Sequence, residues 1–411
     1  MRGNTPAAIA VLEDALKASP EAFDLLVPLA DLLAQQGDAA RTTEILRRLE
    51  SRQASAPMAG GQAAAAARLS QAVQVKYLKA RLAMRDRQWA EATVLLEALR
   101  REVTNLPTFE TQLNLLLASC AMQLGDQGAE GKAYQRVIIT DPRNVQARVG
   151  LGNLELTLGK FDDAVREFEA ATQSPYAPGG VVAQYVHTKT RWLKATGGSP
   201  DEWRRLEATL NQSRGRFGAA SSEPVILLAE IGTALGKTAE VVQLLRKEVA
   251  SRPGDTRLWG VLAEATRDLR GTAAALAVVD EAQSAAGDGP DVRLARAKLY
   301  AAEPGRVRPL GPLMEQIESW PEVEQLRLLG GMVEVFDHAG DQAGVVRALR
   351  AIGSRRPSEA SIWVRMHERA LRTGDRKTAT DAREALRRGL EARNVHPADR
   401  GTFDALKSSM K

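Results

Sequence analysis

Residues 145–178, VQARVGLGNLELTLGKFDDAVREFEAATQSPYAP, contain one complete structural unit, Val145 to Tyr176. Val145 to Leu158 reads as a helix, with Val149, Leu151, Gly152, Leu154, Leu156 and Leu158 along it. Gly159-Lys160 then breaks the pattern. A second helix follows from Asp162 to Thr172, placing Ala164, Val165, Phe168 and Ala171 on one face at offsets that fit a 3.6-residue period. Pro175 and Pro178, flanking Tyr176, end it, because proline cannot continue a helix. The turn itself recurs: Gly3-Asn4, Gly37-Asp38, Gly125-Asp126, Gly236-Lys237, Gly340-Asp341 and Gly374-Asp375, with 34-residue steps from 3 to 37, 125 to 159 and 340 to 374. Looser copies stand at Arg87-Gln88, Gly197-Gly198, Arg270-Gly271 and Pro304-Gly305. A period of this length predicts a stack of helical hairpins.

These positions carry a resemblance to the tetratricopeptide repeat family. That family places a small residue seven before the turn glycine, here Gly152, then Ala five after it (Ala164), an aromatic nine after (Phe168) and Ala twelve after (Ala171). The small residue recurs as Ala30, Ala80, Ala118 and Ala229, where two helices cross closely. A proline about seventeen after the turn is met by Pro20, Pro142, Pro253 and Pro357, each expected to open the next helix. The resemblance implies an all-α fold: a right-handed superhelical solenoid of antiparallel helical hairpins, about ten of them plus a leading half.

The expected organisation follows from where the pattern is clean. Residues 1–51 hold a half repeat and the first hairpin, 52–68 a low-complexity Ala/Gly/Ser/Gln-rich loop, and 69–210 the central hairpins. A Gly/Ser-rich loop at 211–222 precedes the C-terminal hairpins at 223–390, and 391–411 forms a tail with a candidate capping helix. Both loops are candidate hinges. Residues 290–320 are degenerate, with Pro309 and Pro312 near the start of the second helix. Arg214 and Arg216, near Phe217, read as part of a solvated loop.

Composition narrows the function classes. Ala and Leu dominate, aromatics are only 4%, and 56 basic against 51 acidic residues leave a formal charge of +5. No polybasic run marks a nucleic-acid or membrane patch, and no stretch of 18 apolar residues predicts a membrane-crossing helix. Cys120 is the single cysteine and reads as a buried thiol within a helix. His187, His338, His367 and His396 form no metal-ligand spacing, and His367 reads as a structural histidine. Gly150-Leu151-Gly152 lies inside a helix with no preceding strand, and Gly236-Lys237-Thr238 lacks the upstream glycine of a phosphate loop, with Ile231 in its place. No catalytic residue, metal or cofactor is expected.

The groove is the remaining place for recognition. In the family that the chain resembles, residues thirteen and six before each turn line the concave face. Thirteen before, four hairpins give Gln74, Gln112, Gln146 and Gln184; six before, they give Arg81, Ser119, Asn153 and Arg191. His187 and Lys194 fall on the same face as Gln184 and Arg191. The expected partner-binding groove is therefore Gln74, Arg81, Gln112, Gln146, Asn153, Gln184, His187, Arg191 and Lys194: an amide ladder that pairs with an extended backbone, flanked by cations that hold carboxylates. Later hairpins give Glu230, Glu264, Lys298, Glu334 and Glu368, and the first gives Asp24 and Asp31, so the groove reads acidic, then basic-amide, then acidic. The expected function is a non-enzymatic scaffold that binds a protein or extended peptide, with an acidic partner suited to the central cations. The alternative is a repeat arm of a larger enzyme or of a secretion or polysaccharide-export machine, with its other segments upstream. No nucleic-acid partner and no membrane insertion are expected. The cytoplasm is the favoured compartment, and the periplasm stays open because the chain starts at a turn.

Overall fold

The computed structural model describes residues 5–20, 22–36, 38–55, 62–103, 106–302, 309–357 and 359–388. Among them are twenty α-helices, two short 3-10 turns and no strand. The turns at Gly3-Asn4 and Pro304-Gly305, residue Gly37, His396 and the tail at 391–411 lie outside the described residues. None of the described helices is long and apolar enough to cross a membrane.

The chain groups into two compact units, Met1–Lys160 and Phe161–Lys411. In the first, a single helix α1 (Thr5–Ala18) precedes three hairpins: α2 (Phe23–Gln36) with α3 (Ala39–Ser55), α4 (Gln62–Arg85) with α5 (Trp89–Glu102), and α6 (Pro107–Leu124) with α7 (Gln127–Thr140). Helix α8 (Val145–Thr157) packs on α7. The second unit begins with α9 (Phe161–Thr172), which packs on α10 (Gly179–Thr196). Its hairpins pair α10 with α11 (Pro200–Gln212), α12 (Glu223–Ala234) with α13 (Thr238–Ser251), and α14 (Thr256–Arg270) with α15 (Thr272–Ala286). After α16 (Pro290–Ala301) come α17 (Glu322–His338) with α18 (Gln342–Arg355), and α19 (Ala360–Arg372) with α20 (Arg376–Arg388). Helices α10, α12, α14 and α16 also touch in succession, so the first helices of these hairpins form one continuous layer.

The recurring Gly-Asp dipeptide makes these tight reversals. Between α6 and α7, Gly125 adopts φ +72°, the left-handed conformation that glycine alone takes without a steric cost. The Asp126 N–H then donates to the Ala121 carbonyl at 2.9 Å, closing the end of α6. The Asp126 carboxylate accepts from the Ala129 N–H at 2.9 Å, capping the start of α7. Asp341 repeats both bonds, to the Phe336 carbonyl at 2.9 Å and from the Gly344 N–H at 2.7 Å. Asp375 does so with Ala370 at 2.9 Å and Thr378 at 3.0 Å. Two residues thus end one helix and begin the next.

The predicted packing marks are buried. Ala164, Phe168 and Ala171 are fully inaccessible, as are Ala30, Ala80 and Ala118. Small residues there let the first helices of neighbouring hairpins approach, and Phe168 fills the space left over. The prolines depart from expectation. Helices α8, α14 and α19 begin after Asn144, Asp255 and Glu359, so Pro142, Pro253 and Pro357 stand ahead of the helix and do not open it. Each instead offers its carbonyl to a side chain six residues on: Pro142 to Arg148 Nε at 2.7 Å, Pro253 to Trp259 Nε1 at 2.8 Å and Pro357 to Trp363 Nε1 at 3.0 Å.

Two irregular stretches are tied down by side chains. In 211–222 a 3-10 turn spans Arg214–Arg216, and Arg216 Nη1 donates to the Thr172 carbonyl at 2.7 Å. Arg216 and Phe217 are half-buried, Phe217 lying so close over Gly179 that a Cβ there would come within 2.7 Å of its ring. This corrects the reading of Arg216 as solvated. After α16 no second helix forms among the described residues, where Pro309 and Pro312 remove two N–H donors; a 3-10 turn covers Gly311–Met314. Arg293 of α16 gathers this segment: Nη1 donates to the Leu313 and Glu315 carbonyls at 3.1 and 2.6 Å, and the guanidinium carbon lies 4.7 Å from the centre of the Trp320 ring. Asp288 holds the other side of the guanidinium, with Nη2 at 2.6 Å. Buried Leu310 and Ile317 fill the space beneath.

Candidate partner-binding site

The first helices carry every side chain assigned to the groove. In the N-terminal unit, Gln74 and Arg81 stand on α4, Gln112 and Ser119 on α6, and Gln146 and Asn153 on α8. Gln74 is half-buried, whereas Gln112, Gln146 and Asn153 are exposed. Gln112 Nε2 donates to the Tyr77 hydroxyl at 2.6 Å, and the Tyr77 ring packs on Phe109 with centroids 5.6 Å apart. Burial pushes the Tyr77 phenol up, with Asp31 adding to the shift and Arg81 opposing it.

Arg81 differs from expectation. Its Nε lies 3.3 Å from Asp31 Oδ1 of α2, and both side chains are about three-quarters covered, at 22% and 27% exposure. The guanidinium expected to receive a partner's carboxylate already faces one from its own chain. The acidic first segment and the basic second segment of the predicted groove are thus coupled charges. This part of the site is internally compensated, and Arg81 drops out as a free anchor.

In the C-terminal unit, Gln184, His187, Arg191 and Lys194 follow one another along α10. Gln184 is half-buried and the other three are exposed. Arg191 lies over the Phe161 ring, its guanidinium carbon 5.9 Å from the centroid, and neither it nor Lys194 has an ion pair among the described residues. His187 is turned towards α12, with Nδ1 bonded to Glu230 and Nε2 3.9 Å from Glu223. That contact raises the imidazole pKa, the Glu230 bond being the largest cause and burial opposing it.

A further concavity lies along the same layer. A cleft of about 830 Å³ opens over α12, α14, α16 and α17, with an apolar floor that includes Ile226, Val261, Leu294 and Val335. Gly260 faces into it, and a Cβ there would meet no atom within 4 Å. Glu264, Lys298 and Glu334, placed on the groove face by their offsets, all line it. Lys298 Nζ sits 2.9 Å from Glu264, and Arg257 Nη2 sits 2.5 Å from Glu223. Arg327 pairs with Asp291, which also accepts from the Thr256 hydroxyl at 2.5 Å. The acids of this half therefore do not form a free acidic run, because successive first helices neutralise one another. Glu334 is the exception, with no ion pair among the described residues.

This cleft was missed by offsets alone, although a signal was present. Opposite charges separated by one repeat, as in Glu223 with Arg257 and Glu264 with Lys298, mark neighbouring first helices that touch. His367 is structural as expected: it is buried, with Nδ1 2.8 Å from the Ala379 carbonyl. Cys120 is fully buried, and burial pushes its thiol up to about 11 despite an opposing bond from Thr93.

Residues 2–57 and 132–178 match the family model described as tetratricopeptide repeat. A tetratricopeptide repeat protein from Parabacteroides merdae is similar in structure at 12% identity, with 68% of this chain and 98% of that chain covered and a TM-score of 0.46. Yeast Tom70 covers 99% of this chain over 86% of its own length, at 10% identity and a TM-score of 0.42. YrrB, described as having an unusual peptide-binding site, shares 13% identity over 45% of this chain and 90% of its own, with a TM-score of 0.33. No curated protein matches the sequence.

Proposed function

We propose that this tetratricopeptide-like chain is a non-enzymatic scaffold that holds an extended protein segment along the faces formed by its first helices. The observation that carries this reading is the cleft over α12, α14, α16 and α17. Its floor is apolar and its rim is charged, a combination that buries a partner's side chains while orienting its backbone. The ion pairs on the rim are already satisfied, so a partner gains little by competing for them. The uncompensated Glu334 beside Leu294 and Val335 favours a segment with a Lys or Arg next to an apolar residue. On α10, Arg191 and Lys194 are the cations that remain for an acidic stretch, and Gln184 is the amide beside them. In the N-terminal unit the reading keeps Gln74, Gln112, Gln146 and Asn153 as contacts to the partner's backbone.

Selection from a displayed library of random peptides on the intact chain tests this. Peptides enriched on the parent should bind Gly260→Trp at least about tenfold more weakly, since the indole fills the cleft from a position with room for it. Glu334→Lys should shift the enriched set from basic to acidic. Failure to enrich any peptide, or equal binding to parent and Gly260→Trp, would remove the cleft as the site.

A further inference from the structure

We propose that His187 is a pH-dependent staple that fastens α10 to α12 beside the partner-binding cleft. His187 is bordered by two carboxylates, both from α12 and set two helical turns apart: Glu230 bonds Nδ1, and Glu223 lies 3.9 Å from Nε2. A protonated imidazole carries an N–H on each nitrogen, so it donates to Glu230 and turns a positive charge towards Glu223. A neutral imidazole keeps one N–H for Glu230, but its other nitrogen turns a lone pair towards Glu223 and the charge attraction to both carboxylates is lost. Glu223 also holds Arg257 of α14, whose side chain lines the cleft, and the staple is therefore the first link in a chain of contacts across three successive first helices. The charged neighbours of the ring are Glu230, Glu223 and Arg257, the first two favouring the charged imidazole and Arg257 opposing it. Helices α9 and α11, also packed on α10, contribute none of them.

The sign follows from the raised pKa. The folded chain keeps its proton to higher pH than the unfolded chain, so the staple is at full strength below about pH 6.5, the unfolded value, and is lost as pH rises through the folded value. This device is independent of which partner the cleft takes, and it is read without a ligand.

The test is an NMR titration of the histidine ring protons of the intact chain, with His187 assigned by its disappearance in His187→Gln. A His187 midpoint above about 6.5 that falls in Glu230→Gln supports the staple. A midpoint at or below that value overturns it; if His187→Gln does not fold, sequential backbone assignment of the parent identifies the His187 ring signal and the parent titration decides. Thermal melts at pH 6.0 and 8.5 give the second reading. The parent should lose more melting temperature between the two pH values than His187→Gln does, by about 2 °C. Equal losses in the two proteins would also overturn the proposal.

Discussion

Arg81 and Asp31 face each other from α4 and α2, the guanidinium Nε 3.3 Å from the carboxylate Oδ1, with both side chains largely covered. Largely covered pairs of this kind matter more when broken than when formed, because removal of one partner strands the other away from water. Arg81→Ala should therefore lower the stability of the N-terminal unit by about 1–2 kcal/mol, and Arg81→Glu by more, since it sets two carboxylates together. In the double variant Asp31→Ala, Arg81→Ala the total loss should be smaller than the sum of the single losses. Urea unfolding followed by circular dichroism measures the parent, Arg81→Ala, Asp31→Ala, Arg81→Glu and the double variant. Additive losses would show that the pair contributes no coupling.

Arg87 occupies the turn position that glycine holds elsewhere, at φ +60°, and the Gln88 N–H still bonds the Ala83 carbonyl at 2.8 Å. The left-handed backbone penalises any side chain by about 1 kcal/mol. Arg87→Gly should raise stability by about 0.5–1 kcal/mol, and Gly125→Ala should lower it by a similar amount. Gly260 responds in the opposite direction, because it lies inside α14 at an ordinary φ with open space around it. Gly260→Ala should stabilise by about 0.5–1 kcal/mol. Paired melts of the three variants test both signs.

Glu130 stands five residues after Gly125, where the repeat pattern elsewhere puts a buried alanine such as Ala164, and it is itself buried. Burial raises its pKa, so at pH values between the unfolded and folded pKa the folded chain holds a proton that the unfolded chain has released. Stability from this group is complete at low pH and falls as pH rises from about 4.3, the unfolded value, through the folded value. Glu130→Gln should match the parent near pH 3.5 and exceed it by up to about 1 kcal/mol at pH 7. Denaturant unfolding at both pH values measures the difference; a variant less stable at pH 7 would contradict the account.

Cys120 is a built-in reporter. With its thiol pushed up to about 11 and no accessible surface, it should resist disulfide reagents in native buffer at pH 8. Labelling should appear only as urea unfolds the N-terminal unit, with the same midpoint as the loss of ellipticity. Rapid native labelling would show that α6 opens locally.

The fold was legible because its information is local and repeated. Gly125-Asp126 carries both the left-handed turn and the helix cap within two residues, and Ala164, Phe168 and Ala171 sit at fixed offsets from Gly159. The offsets also placed Gln74, Gln112, Gln146 and Gln184 on first helices. They did not reveal what those side chains meet, because the partner lies on another hairpin. Asp31 is 50 residues from Arg81, across the low-complexity stretch 52–68, so no constant spacing points to it. Arg257 with Glu223 keeps the one-repeat spacing and was open to discovery from the sequence. The loss of a helix after α16 was half visible: Pro309 and Pro312 predicted disturbance, but nothing in the sequence named Arg293 as the residue that would gather the segment.

Arg293 changes the way this hairpin can fail. A helix fastens itself by many small contacts, and no one substitution removes them all. Here one guanidinium unites Asp288, the carbonyls of Leu313 and Glu315, and the Trp320 ring. The many small contacts of a helical ladder are replaced here by a few long side chains, Arg293 foremost, with Gln325 of α17 donating to the Trp320 carbonyl at 2.8 Å. The repeat array is therefore unevenly robust: it tolerates drift at most exposed positions, yet one codon can loosen the stretch from Leu313 to Trp320.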